Sequence, residues 1–306
     1  MSSPRPLRRP IALALAACTA LALTACGGGG DSAAESPTCP DGKIRFGVEP
    51  FEDPAKLTPA ARRLGDALSK SLNCPVEVQV TQEYSAEVLA MQNEELDIAI
   101  FGPLGYVFAS QRADAQALAS FADANGQLST YTAGIWVPKD SPITSVEQLR
   151  GRSLALGSVG STSGDALPRK ALADAGLPEK DVKIDYAGGH PEALLALTNG
   201  AVDAAEINSQ QLASAIESGT FDPAKHRKIW TSDPIPNDPV TVRGNMDPRF
   251  KEAVRDALLN LDPVAVGEIG ALLDVSPPGP LVPVDRSTYT PLFDLAKTLK
   301  LDEGDA

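Results

Sequence analysis

The 306-residue sequence predicts an α/β fold of two similar lobes, each built on a mostly parallel sheet flanked by helices. From residue 44 onward, short apolar strands alternate with helical periods, a pattern typical of parallel sheets covered by helices. A helix, turn and strand segment also recurs, because residues 88–99 align with 194–205 at an offset of 106. The same offset pairs Tyr84 with His190. Two copies are too few for a solenoid, so we expect two facing lobes whose helix N-termini converge on one crevice.

The predicted elements follow in an order that suits such lobes. Alternating or fully apolar runs predict strands at 44–48, 76–80, 98–101, 133–138, 153–156, 182–186 and 204–207. An apolar period near 3.6 residues predicts helices at 58–72, 86–93, 146–149, 168–175, 191–198, 209–218 and 248–259. Strands and helices mostly alternate, and this favours parallel pairing within each lobe.

The first residues predict export. Arginines at positions 5, 8 and 9 precede an apolar run at 11–25 that is too short to anchor the chain across a bilayer, so 1–25 is predicted to be a signal peptide. The segment Leu23-Thr24-Ala25-Cys26 resembles a bacterial lipobox, in which the cysteine is lipidated. Residues 26–37 then form a flexible polar tether. We expect a lipid anchor at Cys26, at the outer face of the cell membrane or in the periplasm; the alternative is an ordinary cleavage site.

Two further cysteines remain in the exported chain. Cys39 and Cys74 each stand just before an alternating apolar run, so both are placed at the entry ends of predicted strands. Disulfides persist in export compartments, and a bridge between neighbouring parallel strands fits this placement. We therefore expect a Cys39–Cys74 disulfide, with two unpaired thiols as the alternative.

Composition and missing motifs argue against several classes of function. The formal net charge is −13 and basic residues are not clustered, so nucleic acid is not an expected partner. The sequence has two histidines, no metal-binding motif and no nucleotide loop, so neither a metal nor a cofactor is expected. Thr162 takes the place of the nucleophilic serine that a G-x-S-x-G elbow would need. The chain is therefore not expected to be an enzyme.

Neutral hydrogen-bond donors stand instead where helices are predicted to begin. The run Gly160-Ser161-Thr162-Ser163-Gly164 precedes the helix at 168–175. Helix N-termini carry unpaired N–H groups and partial positive charge, so hydroxyls there can hold an oxyanion. One hydroxyl would be enough for an ordinary helix cap, which is the alternative reading. His190 lies next to Pro191 at another predicted helix start, and Tyr84 and Tyr131 are further candidate donors.

Several short landmarks, taken in order, resemble one protein family along nearly the whole chain: the PhnD-like periplasmic binding proteins of phosphonate, phosphite and phosphate ABC importers, a branch of the type 2 binding proteins. The landmarks are Phe46-Gly47-Val48-Glu49-Pro50, Glu83-Tyr84, Leu96-Asp97-Ile98-Ala99-Ile100-Phe101-Gly102-Pro103, Tyr131, Lys139-Asp140-Ser141-Pro142-Ile143, Ser161-Thr162-Ser163-Gly164, Gly189-His190, Val202-Asp203-Ala204-Ala205 and Pro234-Ile235-Pro236-Asn237-Asp238-Pro239. Each landmark alone is weak evidence, whereas their order along the chain is specific.

The resemblance implies a set of ligand-binding residues. The residues that match the family's phosphonate ligands are Tyr84, Tyr131, Ser161, Thr162, Ser163 and His190, and Asp238 matches a residue across the cleft. Gln210 stands where a member specialised for an aminoalkylphosphonate has Glu, so an amine-bearing ligand is not expected. Glu206 either replaces that carboxylate or is a surface charge.

The charge of Asp238 also bears on which ligand could bind. A carboxylate facing a fully ionised oxyanion would repel it, so we expect Asp238 to accept a hydrogen bond from a ligand P–OH or N–H, which sulfate does not offer at neutral pH. The alternative is that Asp238 only shapes a turn.

The resulting hypothesis is a monomeric binding protein with a type 2 two-lobed fold. Lobe 1 is predicted at 38–132 and 241–306, and lobe 2 at 133–240, joined by two crossing segments. The lobes would close on a small phosphorus oxyanion (phosphite, an alkylphosphonate or phosphate) and deliver it to an ABC permease without chemical change. The membrane would be reached only through the N-terminal lipid. Three alternatives stay open: another small anion or heterocycle as the ligand, presentation of the ligand to a membrane sensor, and an enzyme that turns over a phosphonate or ester.

Overall fold

The computed structural model describes residues 37–277 and 279–301. The predicted signal peptide, the lipidation site Cys26 and the tether up to residue 36 lie outside these residues. Within them, no helix is both long and apolar enough to cross a membrane.

Thirteen strands and nine helices are described in these ranges. The strands are β1 (Ile44–Val48), β2 (Val76–Val80), β3 (Ile98–Ile100), β4 (Gln116–Phe121), β5 (Thr130–Tyr131), β6 (Gly134–Pro138), β7 (Ser153–Leu156), β8 (Lys183–Tyr186), β9 (Ala204–Glu206), β10 (His226–Thr231), β11 (Ile235–Pro236), β12 (Pro239–Val242) and β13 (Leu281–Pro283). The helices are α1 (Pro54–Leu72), α2 (Tyr84–Gln92), α3 (Pro103–Arg112), α4 (Leu167–Asp174), α5 (His190–Thr198), α6 (Ser209–Glu217), α7 (Pro248–Leu259), α8 (Pro263–Leu272) and α9 (Thr290–Leu299).

The strands form one sheet in each lobe. The first lobe has six strands in the order β13-β4-β12-β3-β1-β2, and the second has five in the order β10-β6-β9-β7-β8. Both contain the same unit, in which three strands connected by helices pair in parallel with the first strand in the centre: β2-β1-β3 and β8-β7-β9. The parallel arrangement predicted from the sequence holds in these two units.

The sheets are mixed outside those units. β12 pairs antiparallel with β3 and β4, and β6 pairs antiparallel with β9 and β10. The physical reason is connectivity: parallel neighbours need a crossover helix between them, whereas β6 and β12 are the strands that the chain enters directly after it passes from one lobe to the other. The two crossing segments lie side by side, since β5 pairs antiparallel with β11.

The second crossing ends earlier than predicted. Residues 239 and 240 pair with β3 and β4 in the first sheet, although the sequence placed them in the second lobe. The remaining lobe bounds stay a prediction.

The repeated segment has the same structure in both lobes. Helices α2 and α5 begin at Tyr84 and His190, as the repeat predicts, and β3 and β9 follow at the same spacing. The aspartate before each strand also has the same role. Asp97 accepts a hydrogen bond from the Arg45 N–H at 2.8 Å, and Asp203 accepts one from the Ser153 N–H at 2.9 Å. Each carboxylate thus ties the third strand of its unit to the backbone at the central strand.

Separate apolar cores hold the two sheets. The core of the first sheet includes Phe46, Val48 and Ile98 packed against α1, and that of the second includes Ile135, Leu154 and Leu156. Because each lobe has its own core, the lobes can move as bodies about the paired crossing segments.

A disulfide joins Cys39 and Cys74, as the sequence predicts. It ties the segment before β1 to the turn between α1 and β2, and it closes a loop of 35 residues. By the chain-entropy model, such a loop contributes about 3 to 4 kcal/mol to the free energy of unfolding.

Replacing both cysteines by serine is therefore expected to lower the free energy of unfolding by about 3 to 4 kcal/mol, measured by urea unfolding. A reductant should destabilise the native protein by a similar amount and leave the double variant unchanged, which controls for its other effects. A loss below about 1 kcal/mol would contradict the expected role of the loop.

Candidate functional site

A small enclosed cavity lies between the two lobes. The eight side chains predicted to bind ligand all line it: Tyr84, Tyr131, Ser161, Thr162, Ser163, His190, Gln210 and Asp238. The remaining lining residues are Glu49, Phe51, Glu52, Gly102, Asn208, Gln211 and Leu272. The cavity leaves about 20 Å³ for the centre of a water-sized sphere, and one water molecule needs about 10–15 Å³ by that measure. The enclosed space therefore suits a guest of few non-hydrogen atoms.

Local sequence explains how these side chains reach the cavity. Tyr84 and His190 are the first residues of the repeat-related helices α2 and α5, so both lobes direct a helix N-terminus at the cavity. Residues Thr162–Ala166 form a π-helical turn that leads into α4, and Ser161 caps this turn. Tyr131 lies in the first crossing segment, and Asp238 immediately precedes β12.

The three consecutive hydroxyls each accept a hydrogen bond from a protein N–H group. Ser161 Oγ accepts from the Gly164 N–H at 3.2 Å, Thr162 Oγ1 from the Leu104 N–H at 2.8 Å, and Ser163 Oγ from Asn208 Nδ2 at 3.1 Å. With the oxygen engaged in this way, each O–H remains able to donate. The Leu104–Thr162 bond also crosses from the first lobe to the second. The run is therefore more than a cap for its own helix.

The two tyrosines line the same cavity as these hydroxyls. Ser161 is close enough to Tyr84, and Thr162 and Ser163 to Tyr131, to affect the pKa of each phenol. Burial and nearby carboxylates raise the pKa of both phenols well above 10. Both tyrosines therefore stay neutral and can donate a hydrogen bond at any physiological pH.

His190 pairs with a buried carboxylate behind the cavity. Its Nδ1 lies 2.6 Å from Glu206 Oε1, and its Nε2 lies 3.3 Å from Ser161 Oγ. Burial alone would lower the pKa of His190, but the charge and hydrogen bond of Glu206 raise it, and the net pKa is above 6.5. Glu206 does not line the cavity and is fully buried, so it is neither a replacement for the missing ligand carboxylate nor a surface charge.

Acidic side chains occupy the first-lobe side of the site. Burial raises the pKa of Asp238 to about 7, although the positive charge of His190 opposes this. Burial and the charge of Asp238 also raise the pKa of Glu49 well above 4.5. Among the described residues that line the cavity, none is lysine or arginine. The site can thus surround an oxyanion with neutral donors, while its carboxyl groups accept a hydrogen bond from a protonated guest.

Gln210 lines the cavity, but its amide nitrogen is engaged elsewhere. Nε2 donates to Asn237 Oδ1 at 3.1 Å and to the Leu273 carbonyl at 3.2 Å, so this side chain connects α6 of the second lobe to the end of α8 in the first.

The described residues contain no group of three or more His, Cys, Asp or Glu side chains arranged to hold a metal.

Four polar residues of the cavity were not predicted from the sequence. Glu49 lies in the Phe46–Pro50 landmark but was assigned no function, and Glu52, Asn208 and Gln211 were not singled out at all. Nothing in the spacing marks Glu49 or Glu52 as buried, because carboxylates are common in so acidic a chain, and the two amides belong to no motif. The fold brings the two carboxylates to the cavity from the segment after β1 and the two amides from the start of α6.

Comparison with known proteins places this chain in a family. The family described as "ABC transporter, phosphonate, periplasmic substrate-binding protein" matches residues 46–289. The phosphonates-binding periplasmic protein of Escherichia coli (strain K12) is 28% identical over 71% of this chain and 65% of its own length. The phosphate-import protein PhnD of Mycolicibacterium smegmatis is 26% identical over 72% of each chain. The alignment thus spans slightly less than two thirds of the E. coli protein.

A solved structure shows the same fold. PhnD1 from Prochlorococcus marinus (MIT 9301), determined in complex with methylphosphonate, superposes with a TM-score of 0.73 at 20% identity, covering 87% of this chain and 99% of that one. It shares the two-lobed α/β architecture described above. Because the family match covers well over half of the residues, the chain belongs to the family of periplasmic substrate-binding proteins of phosphonate ABC transporters.

Proposed function

We propose that this chain is the exported binding protein of an ABC importer and captures a small phosphorus oxyanion between its lobes. The observation that carries the proposal is the set of neutral donors from both lobes around one small cavity. The three hydroxyls of the run at 161–163 accept hydrogen bonds from protein N–H groups and keep their own hydrogens for a guest. Such donors bind an oxyanion without reacting with it.

The size and charge of the cavity support a small, protonated ligand. A guest of few non-hydrogen atoms fits the enclosed space, and this favours phosphite or methylphosphonate over larger phosphonates. Ionised Asp238 would repel a dianion, but it can accept a hydrogen bond from a P–OH group. Phosphate monoanion offers the same P–OH group and stays within the proposed class.

The mechanism that follows is closure around the ligand. Leu104 and Thr162 already bridge the lobes, and Gln210 bridges them at a second place. A ligand that contacts both lobes would stabilise the closed form through bonds that the open form lacks. The permease would then accept the closed complex, with the protein acting as a monomer held at the membrane by a lipid on Cys26. No step in this cycle makes or breaks a covalent bond of the ligand.

A thermal-shift series is expected to identify the ligand class. Phosphite and methylphosphonate should raise the melting temperature, because a ligand at one hundred times its Kd adds about 2.7 kcal/mol of stability. Aminoethylphosphonate should give a smaller shift and sulfate none. Phosphorus NMR of the recovered ligand should show it unchanged.

Two results would contradict the proposal. Stabilisation by sulfate without any shift from the phosphorus compounds would show that the site does not select a protonated guest. Conversion of the ligand to another phosphorus species would indicate an enzyme.

A further inference from the structure

We propose that Glu206 is a positioning residue for ligand binding: it holds the Nδ1–H of His190, directs Nε2 at the cavity and keeps the ring as a cation. The effect of Glu206 on ligand affinity rests on the proposed function. Its effect on the protonation of His190 does not, because that can be measured without ligand.

Glu206 is fully buried, and its contact is with His190. Its side chain is fully buried at the end of β9, and Oε1 lies 2.6 Å from His190 Nδ1. Its second oxygen has no hydrogen-bond partner among the described residues. The hydrogen-bonding capacity of this buried carboxylate is thus directed at His190. A buried carboxylate is costly unless a positive group compensates it, and the imidazole ring is the group in contact.

Two glycines leave room for this pair. A Cβ at Gly157 would lie 2.9 Å from Glu206 Oε1. A Cβ at Gly164 would lie 2.8 Å from His190 Cε1 and 3.2 Å from Glu206 Oε1. The distances of 2.9 Å and 2.8 Å are too short for a real side chain, so the backbone just after β7 and in the π-helical turn packs directly on the pair. This packing fixes the plane of the ring and the direction of its free nitrogen.

The two ring nitrogens of His190 have different partners, and one of them faces the cavity. With Nδ1–H engaged by Glu206, Nε2 is the nitrogen on the side of the cavity, 3.3 Å from Ser161 Oγ, an oxygen that can accept from it. A protonated Nε2 donates to an anionic oxygen in a charge-assisted hydrogen bond, which is stronger than a neutral one. His190 would then be the one cationic side chain among the described residues lining the cavity.

The charged groups that face His190 come from several elements. Glu206 faces it from β9, Asp238 from the segment before β12, and Glu52 from the segment after β1. Glu49 and the neutral phenols Tyr84 and Tyr131 line the same cavity. The acidic groups favour the charged ring, with Glu206 contributing most, and they oppose the effect of burial on its pKa.

These charges determine how the affinity for an anion changes with pH. His190 is charged below its raised pKa, so affinity for an anion is greatest there and falls as the pH rises through that pKa. Ionisation of Asp238 near pH 7 acts in the same direction, because it adds a negative charge to the cavity. The two effects are separated by working in an Asp238→Asn background.

The decisive variant is Glu206→Gln, which keeps an acceptor oxygen and removes the charge. The chain has two histidines, so nitrogen NMR of the ligand-free protein resolves each ring, and the more exposed His226 serves as the internal reference. We expect the pKa of His190 to fall in Glu206→Gln relative to the native protein. Affinity for phosphite or methylphosphonate should fall by about 10- to 100-fold at pH 6.5, and its decline with pH should begin at lower pH.

Further variants separate positioning from a purely structural role. Glu206→Asp restores the charge and should recover part of the loss. In a His190→Ala background, Glu206→Gln should have little further effect on affinity, because the residue acts through the ring. Unchanged titration of His190 in Glu206→Gln, or an equal loss of affinity with and without His190, would overturn the inference. If no phosphorus ligand binds the native protein, the proposed function fails while the NMR titration still decides the role of Glu206.

Discussion

Replacing Ser161 and Ser163 together by alanine is expected to weaken ligand binding by at least about 100-fold while the protein still folds. Each hydroxyl is positioned by an N–H donor, from Gly164 and Asn208 respectively. The O–H groups are therefore free to donate to the guest without being reoriented. A hydrogen bond to a charged group contributes about 1.5 to 3 kcal/mol, so the loss of two removes most of the affinity of a small ligand.

Thr162 is left unchanged in this variant for a structural reason. Its oxygen accepts from the Leu104 N–H in the first turn of α3. The serine oxygens accept from donors of their own lobe, whereas this bond joins the two lobes, so its loss would remove a link between them. A threonine substitution would thus mix ligand affinity with closure.

Titration calorimetry with phosphite or methylphosphonate measures the effect directly. The matched control is Ser158→Ala, which removes a hydroxyl from the same loop, one that donates to the Gly188 carbonyl and does not line the cavity. Its affinity should stay within about threefold of the native value. Binding by the double variant that equals the control would refute the role of the hydroxyl run.

The eight side chains predicted from the sequence line the cavity, and several of them could be found because residues at helix starts leave local signals. The hydroxyl run before α4, the His190-Pro191 pair at α5 and the offset from Tyr84 to His190 can each be read without coordinates. Bounds of β1, β2 and β7 were predicted to the residue, since strands packed between helices show clear apolar runs.

The elements that were missed depend on contacts distant in sequence. α3 is apolar on nearly all sides because it packs between the first sheet and α9, so it shows no amphipathic period. β12 forms only where the chain returns from the second lobe and enters between β3 and β4. The burial of Glu49 and Glu206 likewise depends on neighbours from other segments. Their carboxylates look like solvated surface charges until the fold encloses them.

A buried carboxylate in α2 is expected to make the stability of the protein depend on pH. Glu87 in α2 is fully buried, and neither of its oxygens has a hydrogen-bond partner among the described residues. The backbone of β1 packs on it so closely that a Cβ at Gly47 would lie 2.7 Å from Oε1. Burial, with the charges of Glu49 and Asp238, raises the pKa of Glu87 well above 4.5.

Proton binding by Glu87 determines how the free energy of unfolding changes with pH. Between pH 4.5 and its raised pKa, Glu87 binds a proton in the native state but not in the unfolded state. The free energy of unfolding therefore falls as the pH rises through this range, by about 1.4 kcal/mol per pH unit for each such group. Glu49 adds the same slope, and Asp238 adds it up to a pH of about 7.

Glu87→Gln is neutral at every pH, so we expect it to remove one group's share of this slope and to be more stable than the native protein at pH 8. Urea unfolding from pH 5 to 8 in the absence of ligand measures both quantities. The matched control is Glu252→Gln on the exposed face of α7, which should leave the slope as it is in the native protein. A native stability that rises from pH 5 to 8, or equal slopes for Glu87→Gln and the native protein, would show that Glu87 does not hold its proton.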